Sequence, residues 1–139
     1  MSLHKLLRTS DSWSLLVVRL ALGVVICVHG LQKLGVIGDG NVAGTTQFLT
    51  GLGIPSVIAY LVILGESVGG ASLVLGFLTR FCAASIGIIM LGAITLVHAK
   101  NGFSMANGGY EFHLLAVGMA AALTLAGGGK WSVDRMIQK

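Results

Sequence analysis

Glu66 lies near the centre of an uninterrupted apolar run, residues 55–75. Burying a carboxylate at the middle of a bilayer costs about 3 kcal/mol or more unless it is neutralised or paired, so such a residue is a functional-site candidate. His29 and Lys33 stand four apart near the end of an earlier apolar run and share one helix face. His98 and Lys100 close a third run, and Glu111 and His113 open a fourth. If the runs are antiparallel helices, these side chains gather toward one end of a bundle, with Glu66 beneath them. A set of this kind suits binding of a polar headgroup or exchange of protons. Glu66 needs a cationic partner, and His29 or Lys33 is expected in preference to Arg19. Glu111 and His113 are two apart and point to opposite sides of a helix, so both face one site only if the helix begins after them.

Other chemistries find no support. The histidines show no compact ligand spacing, so no metal site is expected. Cys27 and Cys82 form no C-x-x-C pair and lie at different depths, which reads as packing rather than redox chemistry or a disulfide. There is no phosphate loop, nucleophile elbow or pair of catalytic carboxylates. A self-sufficient enzyme is therefore not expected, at most an accessory subunit of an oxidoreductase.

The elements that must position these residues follow from composition. Of 139 residues, 55% are apolar and 10% charged, against about 25% charged in a soluble domain. Mean hydropathy is +0.90. The expected fold is all-α, an integral membrane bundle of four transmembrane helices over residues 14–34, 55–75, 81–99 and 110–126, forming one domain over 1–139. Only helices or closed barrels satisfy backbone polar groups in lipid, and the runs show no period-2 alternation. The first run is too long for a signal peptide and lacks a cleavage site, so it reads as a retained helix.

The connections read as follows. Residues 45–52 suggest a short interfacial helix, and Pro55 suits the first turn of the next. Residues 76–80 make a tight turn. Residues 127–129, three glycines, stop the last span, and 131–136 read as a short amphipathic tail with Ser132 as N-cap. A similar amphipathic segment is read at the N-terminus, around Leu3, Leu6 and Leu7. Small residues four apart, Gly65/Gly69, Ala83/Gly87 and Gly118/Ala122, suggest close helix approach.

The net charge of +4 sits mostly at the ends of apolar runs, which reads as topology signal rather than a nucleic-acid surface. Lys5, Arg8, Arg19, Arg80, Lys130, Arg135 and Lys139 fall on one side, so both termini are expected in the cytoplasm. Arg19 is expected to pair with Asp134 or with lipid phosphate.

Several motifs recur in order: Arg19-Leu20-x-x-Gly23, His29-Gly30-x-x-Lys33-Leu34, Gly51-Leu52-Gly53-Ile54-Pro55, Glu66-x-x-Gly69-Gly70-x-x-Leu73-x-x-Gly76-x-x-Thr79-Arg80, and Gly127-x-Gly129-x-Trp131-Ser132-x-Asp134. Together they resemble the DoxX family of small four-helix bacterial inner-membrane proteins, over nearly the whole chain. The resemblance implies a multi-pass inner-membrane location and recurring polar positions at Arg19, Lys33, Glu66, Arg80 and Asp134. One relative gives the family its name as part of a thiosulfate:quinone oxidoreductase, and others are linked to membrane redox complexes answering oxidative or thiol stress. The implied role is a subunit of a quinone-linked redox complex with a membrane or peripheral redox partner, and a quinone as the cofactor to consider. Two alternatives stay open: a non-enzymatic assembly factor, and a solute or proton transporter that would require a homo-oligomer.

Overall fold

The structure, a computed structural model, describes residues 7–138. The N-terminal residues Leu3, Lys5 and Leu6, and Lys139, lie outside the described residues. Every regular element among those described is helical.

Helix α1 spans Trp13–Leu34, α2 Val42–Gly51, α3 Ser56–Leu75, α4 Thr79–Ala93, α5 Glu111–Ala126 and α6 Val133–Ile137. Helix α4 continues through a π turn, Ile94–His98, and a 3-10 turn, Ala99–Asn101, into the loop before α5. The third span therefore begins at Thr79, two residues earlier than the sequence suggests, and runs 23 residues to Asn101. Three helices, α1, α3 and α4 with its extension, are long and apolar enough to cross a membrane. Helix α5 has 16 residues, about 24 Å at 1.5 Å per residue.

Helix boundaries have local causes. The Ser12 hydroxyl accepts from Leu15 N at the start of α1, and Gly35 closes it in the left-handed conformation (φ 76°). The Asn41 side chain caps α2 by accepting from Gly44 N. The Ser132 hydroxyl caps α6 as the sequence suggests, accepting from Arg135 N.

Helix α1 packs most extensively against α3, α4 against α5, and the pairs close into a bundle through α3–α4 and α1–α5 contacts. The core is apolar: Leu22, Ile26, Leu73, Ala83, Ile86, Met90, Ala116, Ala120 and Leu123 are buried together. The outer faces carry exposed Val17, Val57, Ile88, Leu115 and Leu125, which is the pattern of a bundle solvated by lipid.

The α1–α3 contact is the tightest, and glycine makes it so. A Cβ at Gly30 would overlap the backbone of Glu66 and Ser67, and one at Gly70 would sit 2.5 Å from Cys27 N. At Gly23 it would lie 2.9 Å from Val74 N. This close approach brings the Lys33 end of α1 against Glu66. Gly118, by contrast, has nothing within 4 Å. The Gly118/Ala122 pair therefore makes no close helix contact within the chain, because it lies on an outward face of α5.

At the opposite end, three charges satisfy helix termini. Arg19 is buried, and its Nε donates to Gly128 O at 3.0 Å while Nη1 donates to Leu73 O at 3.0 Å and Val74 O at 2.5 Å. Leu73 and Val74 lie in the last turn of α3, where carbonyls lack the regular i+4 partner, Leu73 O accepting in addition from the cap Gly76 N at 3.0 Å, and where a cation is favoured. The expected Arg19–Asp134 ion pair does not form. Asp134 instead accepts from Leu78 N at 2.7 Å and Thr79 N at 2.8 Å, at the start of α4. Its two oxygens thereby hold Leu78 in the left-handed region (φ 47°), a strained state for leucine. Arg80 Nη1 donates to Thr124 O at 2.8 Å in the last turn of α5, and its Nε to Arg8 O at 2.7 Å.

Candidate functional site

The Lys33 end of the bundle carries an open-sided cavity of about 230 Å³ lined by Ile26, His29, Lys33, Glu66, Met90, His98, Met105, Phe112 and His113. Of the three candidate cations, Lys33 is the partner of Glu66: Lys33 Nζ and Glu66 Oε2 form an ion pair. The Glu66 side chain is 5% exposed and that of Lys33 28%. The carboxylate is thus held inside the bundle while the ammonium reaches it from a wetter position, its stem covering the gap.

His29 sits on the same face of α1 as Lys33, one turn below, and is exposed at the cavity margin. Its ring lies 5.7 Å from that of Phe112. His113, in the first turn of α5, is buried, and its Nδ1 has no hydrogen-bond partner. The rings of His98 and His113 stack at 4.1 Å, tilted by 30°.

His98 arrives there by an unusual route. It closes the π turn Ile94–His98, which widens the helix by one residue and changes the face presented beyond it. Its Nδ1 lies 2.7 Å from Gly108 O. A carbonyl can only accept, so Nδ1 carries the proton, and in the neutral ring Nε2 keeps its lone pair. The bond also ties the loop before α5 across the cavity end, where Met105 contributes to the wall.

Five of the six polar candidates from the sequence, Glu66, His29, Lys33, His98 and His113, thus line one cavity. Glu111 does not. Helix α5 starts at Glu111 itself, so Glu111 and His113 diverge. Glu111 Oε1 accepts from Met105 N at 2.7 Å, fastening the loop. Its carboxylate also sits in the first helical turn, where negative charge is favoured. Lys100 is exposed outside the cavity. The sequence reading missed Met90, Met105, Ile26 and Phe112, apolar side chains indistinguishable from core until the helices are placed. Among the described residues no three His, Cys, Asp or Glu side chains converge as a metal site.

The cavity is therefore mixed. One wall offers an ion pair, others offer imidazole nitrogens, and the rest is thioether and hydrocarbon. Beneath it Leu73, Ile86 and Leu123 are completely buried and apolar, so the polar region stops at the cavity floor.

A helical membrane bundle with an internal Lys–Glu pair is the class of protein the fold defines. The chain belongs to the DoxX family, whose model matches residues 14–99, more than half of it. It is similar to "Putative oxidoreductase CatD" of Bacillus subtilis (strain 168), 33% identical over 109 residues that cover 78% of this chain and 77% of that one. It is also similar to "Inner membrane protein YqjF" of Escherichia coli (strain K12), 30% identical over 125 residues covering 89% and 92%. No solved structure gives a significant match. The protein is a multi-pass inner-membrane protein of this family.

Proposed function

We propose that the chain is the membrane component of a redox complex, and that the cavity beside Lys33 and Glu66 receives the single-ring head of a quinone. The observation behind this reading is the Lys33–Glu66 pair opening onto a cavity of about 230 Å³ at membrane depth. Pockets for whole drug-sized ligands begin at about 300 Å³, so this one suits a ring whose tail stays outside among lipid. A ring carbonyl needs hydrogen-bond donors. Lys33 has two N–H groups beyond the one facing Glu66, and His29 stands at the margin, so the residues fit a headgroup of this kind. Ile26, Met90 and Phe112 provide the apolar walls. When bound, a quinone would supply two-electron redox capacity. The chain's own residues would bind and orient the ring, with Lys33 and His29 as hydrogen-bond donors to its carbonyls.

The similarity to a protein named as an oxidoreductase supports a redox role. The apolar floor below the cavity argues for a site with one entrance over a conduit through the monomer. The cluster of Arg8, Arg80, Lys130 and Arg135 at the other end supports cytoplasmic termini, because positive charge marks the cytoplasmic side.

The test is extraction of the tagged protein from its native membrane in mild detergent, followed by quantification of bound quinone and co-purifying proteins. Quinone and a redox enzyme in fixed proportion to the wild-type chain, with quinone lost from Glu66→Gln, is the expected result. A Glu66→Gln variant that inserts normally and retains quinone and activity at wild-type level would overturn the reading.

A further inference from the structure

The end of the bundle far from Glu66 carries a second hollow, of about 500 Å³, lined by Asp11, Lys130, Trp131, Ser132, Arg135 and Met136. Two of its side chains are cationic and one anionic. Asp11 Oδ1 pairs with Arg135 and lies 3.7 Å from Lys130 Nζ. One carboxylate thus serves two cations, and the hollow keeps one net positive charge. The Lys130 and Arg135 side chains remain 30% and 33% exposed.

Its surroundings are interfacial. Trp13 and Trp131 meet edge to face at 4.9 Å, and the Lys130 ammonium lies 4.7 Å from the Trp13 ring centre. Both tryptophans are exposed. Amphipathic rings of this kind settle at headgroup level. From Trp13 an exposed apolar stripe climbs α1 through Val17, Leu20, Val24 and Val28, at the three- and four-residue spacing of one helix face.

We infer that this hollow is a binding site for an anionic phospholipid, its phosphate held by Arg135 and Lys130 and an acyl chain laid along the Trp13–Val28 stripe. The guanidinium fork matches phosphate oxygens, Lys130 adds a point charge, and a headgroup of one net negative charge neutralises the hollow. The adjoining hydrocarbon face favours a lipid over a free anion. Asp11 competes with the phosphate for both cations.

The experiment is native mass spectrometry of the full chain released from nanodiscs of phosphatidylglycerol or of phosphatidylcholine. One phosphatidylglycerol retained per chain is expected, with little phosphatidylcholine. A Lys or Arg near the surface favours anionic lipid roughly fivefold, so the Lys130→Ala/Arg135→Ala double variant should lose roughly twenty-five-fold in retention. Asp11→Ala should retain more lipid than wild type, an effect that a merely structural Asp11 would not produce. Equal retention by the double variant, equal retention of the two lipids, or displacement of the lipid by millimolar inorganic phosphate would each overturn the assignment.

Discussion

Lys33 on α1 and Glu66 on α3 form an ion pair across the closest helix contact in the molecule, and the two partners are unequally buried. The inequality gives the two single deletions different costs. Removing one member of a buried pair typically costs about 3–5 kcal/mol, because the other is left uncompensated. Lys33→Met strands a carboxylate that is 5% exposed, whereas Glu66→Gln leaves an ammonium that is 28% exposed and sits in the last turn of α1, where a cation is favoured. Lys33→Met should therefore be the more destabilising, and the double variant should recover part of the loss. Unfolding of the three variants in detergent micelles checks this. A Glu66→Gln cost exceeding that of Lys33→Met would show that the pair is not held as described.

Gly30 and Gly118 offer a second comparison. Gly30→Ala forces a methyl into the Glu66–Ser67 backbone, and inserted methylenes in tight packing cost about 1–3 kcal/mol. That change should also part Lys33 from Glu66 and weaken whatever the cavity binds. Gly118→Ala meets open space and removes a helix-interior glycine, so it should stabilise by about 0.5–1 kcal/mol. Thermal unfolding of both variants reads out the difference, and equal destabilisation would refute it.

Arg19 should not tolerate lysine. Its guanidinium reaches carbonyls of α3 and of the segment after α5 at once, a fork that a single ammonium does not reproduce. Arg19→Lys should cost about 1–3 kcal/mol, the scale of a buried acceptor losing its donor. Asp134→Asn keeps one oxygen for two N–H donors and should cost about 1 kcal/mol, as lost helix caps do. Urea or SDS titration of the folded fraction measures both.

Asp11 sets a modest dependence on acidity. Its hydrogen bond from Arg135 is the main reason its carboxyl lies below the ordinary aspartate value of 3.8; desolvation opposes this, and the charges of Arg135 and Lys130 add to the lowering. A carboxyl lowered on folding stabilises fully above the unfolded value, and that contribution disappears as pH falls through the folded one. The wild-type advantage over Asp11→Asn should hold at pH 6, vanish below the ordinary aspartate range and shrink in high salt, since both partners are exposed. Melting curves of the pair across pH 3–7 test this, and an advantage that grows toward pH 3 would contradict it.

Much of this was legible in the chain. The spans were visible because lipid demands long apolar runs, and the need of Glu66 for a partner on α1 because a lone mid-span carboxylate needs a cation within reach, though His29 and Lys33, four apart on one face, were not separable as that partner. For Arg19 the sequence suggests Asp134 or lipid phosphate, whereas its guanidinium serves carbonyls at a helix end, a demand that no residue type announces. Gly30 and Gly70 were not separable from Gly118 by spacing, because which face a helix turns inward depends on its neighbours. Spacing already said that Glu111 and His113 diverge unless the helix begins after them, but which of the two faces the cavity depends on where α5 begins and how it packs. The π turn left no trace in the pattern of apolar residues.

That turn makes His98 the product of one surplus residue. The π turn uses one residue more per turn than an α-helix, in which each position advances by roughly 100°, so winding the same residues as regular α-helix would swing His98 about a quarter-turn around the axis. His98 would lose Gly108 and its seat against His113 while composition and hydropathy stayed unchanged. The cavity's imidazole pair is thus set by how the surplus residue is absorbed, and a chain one residue shorter in this stretch would bring its histidine to the same face through a regular α-helix.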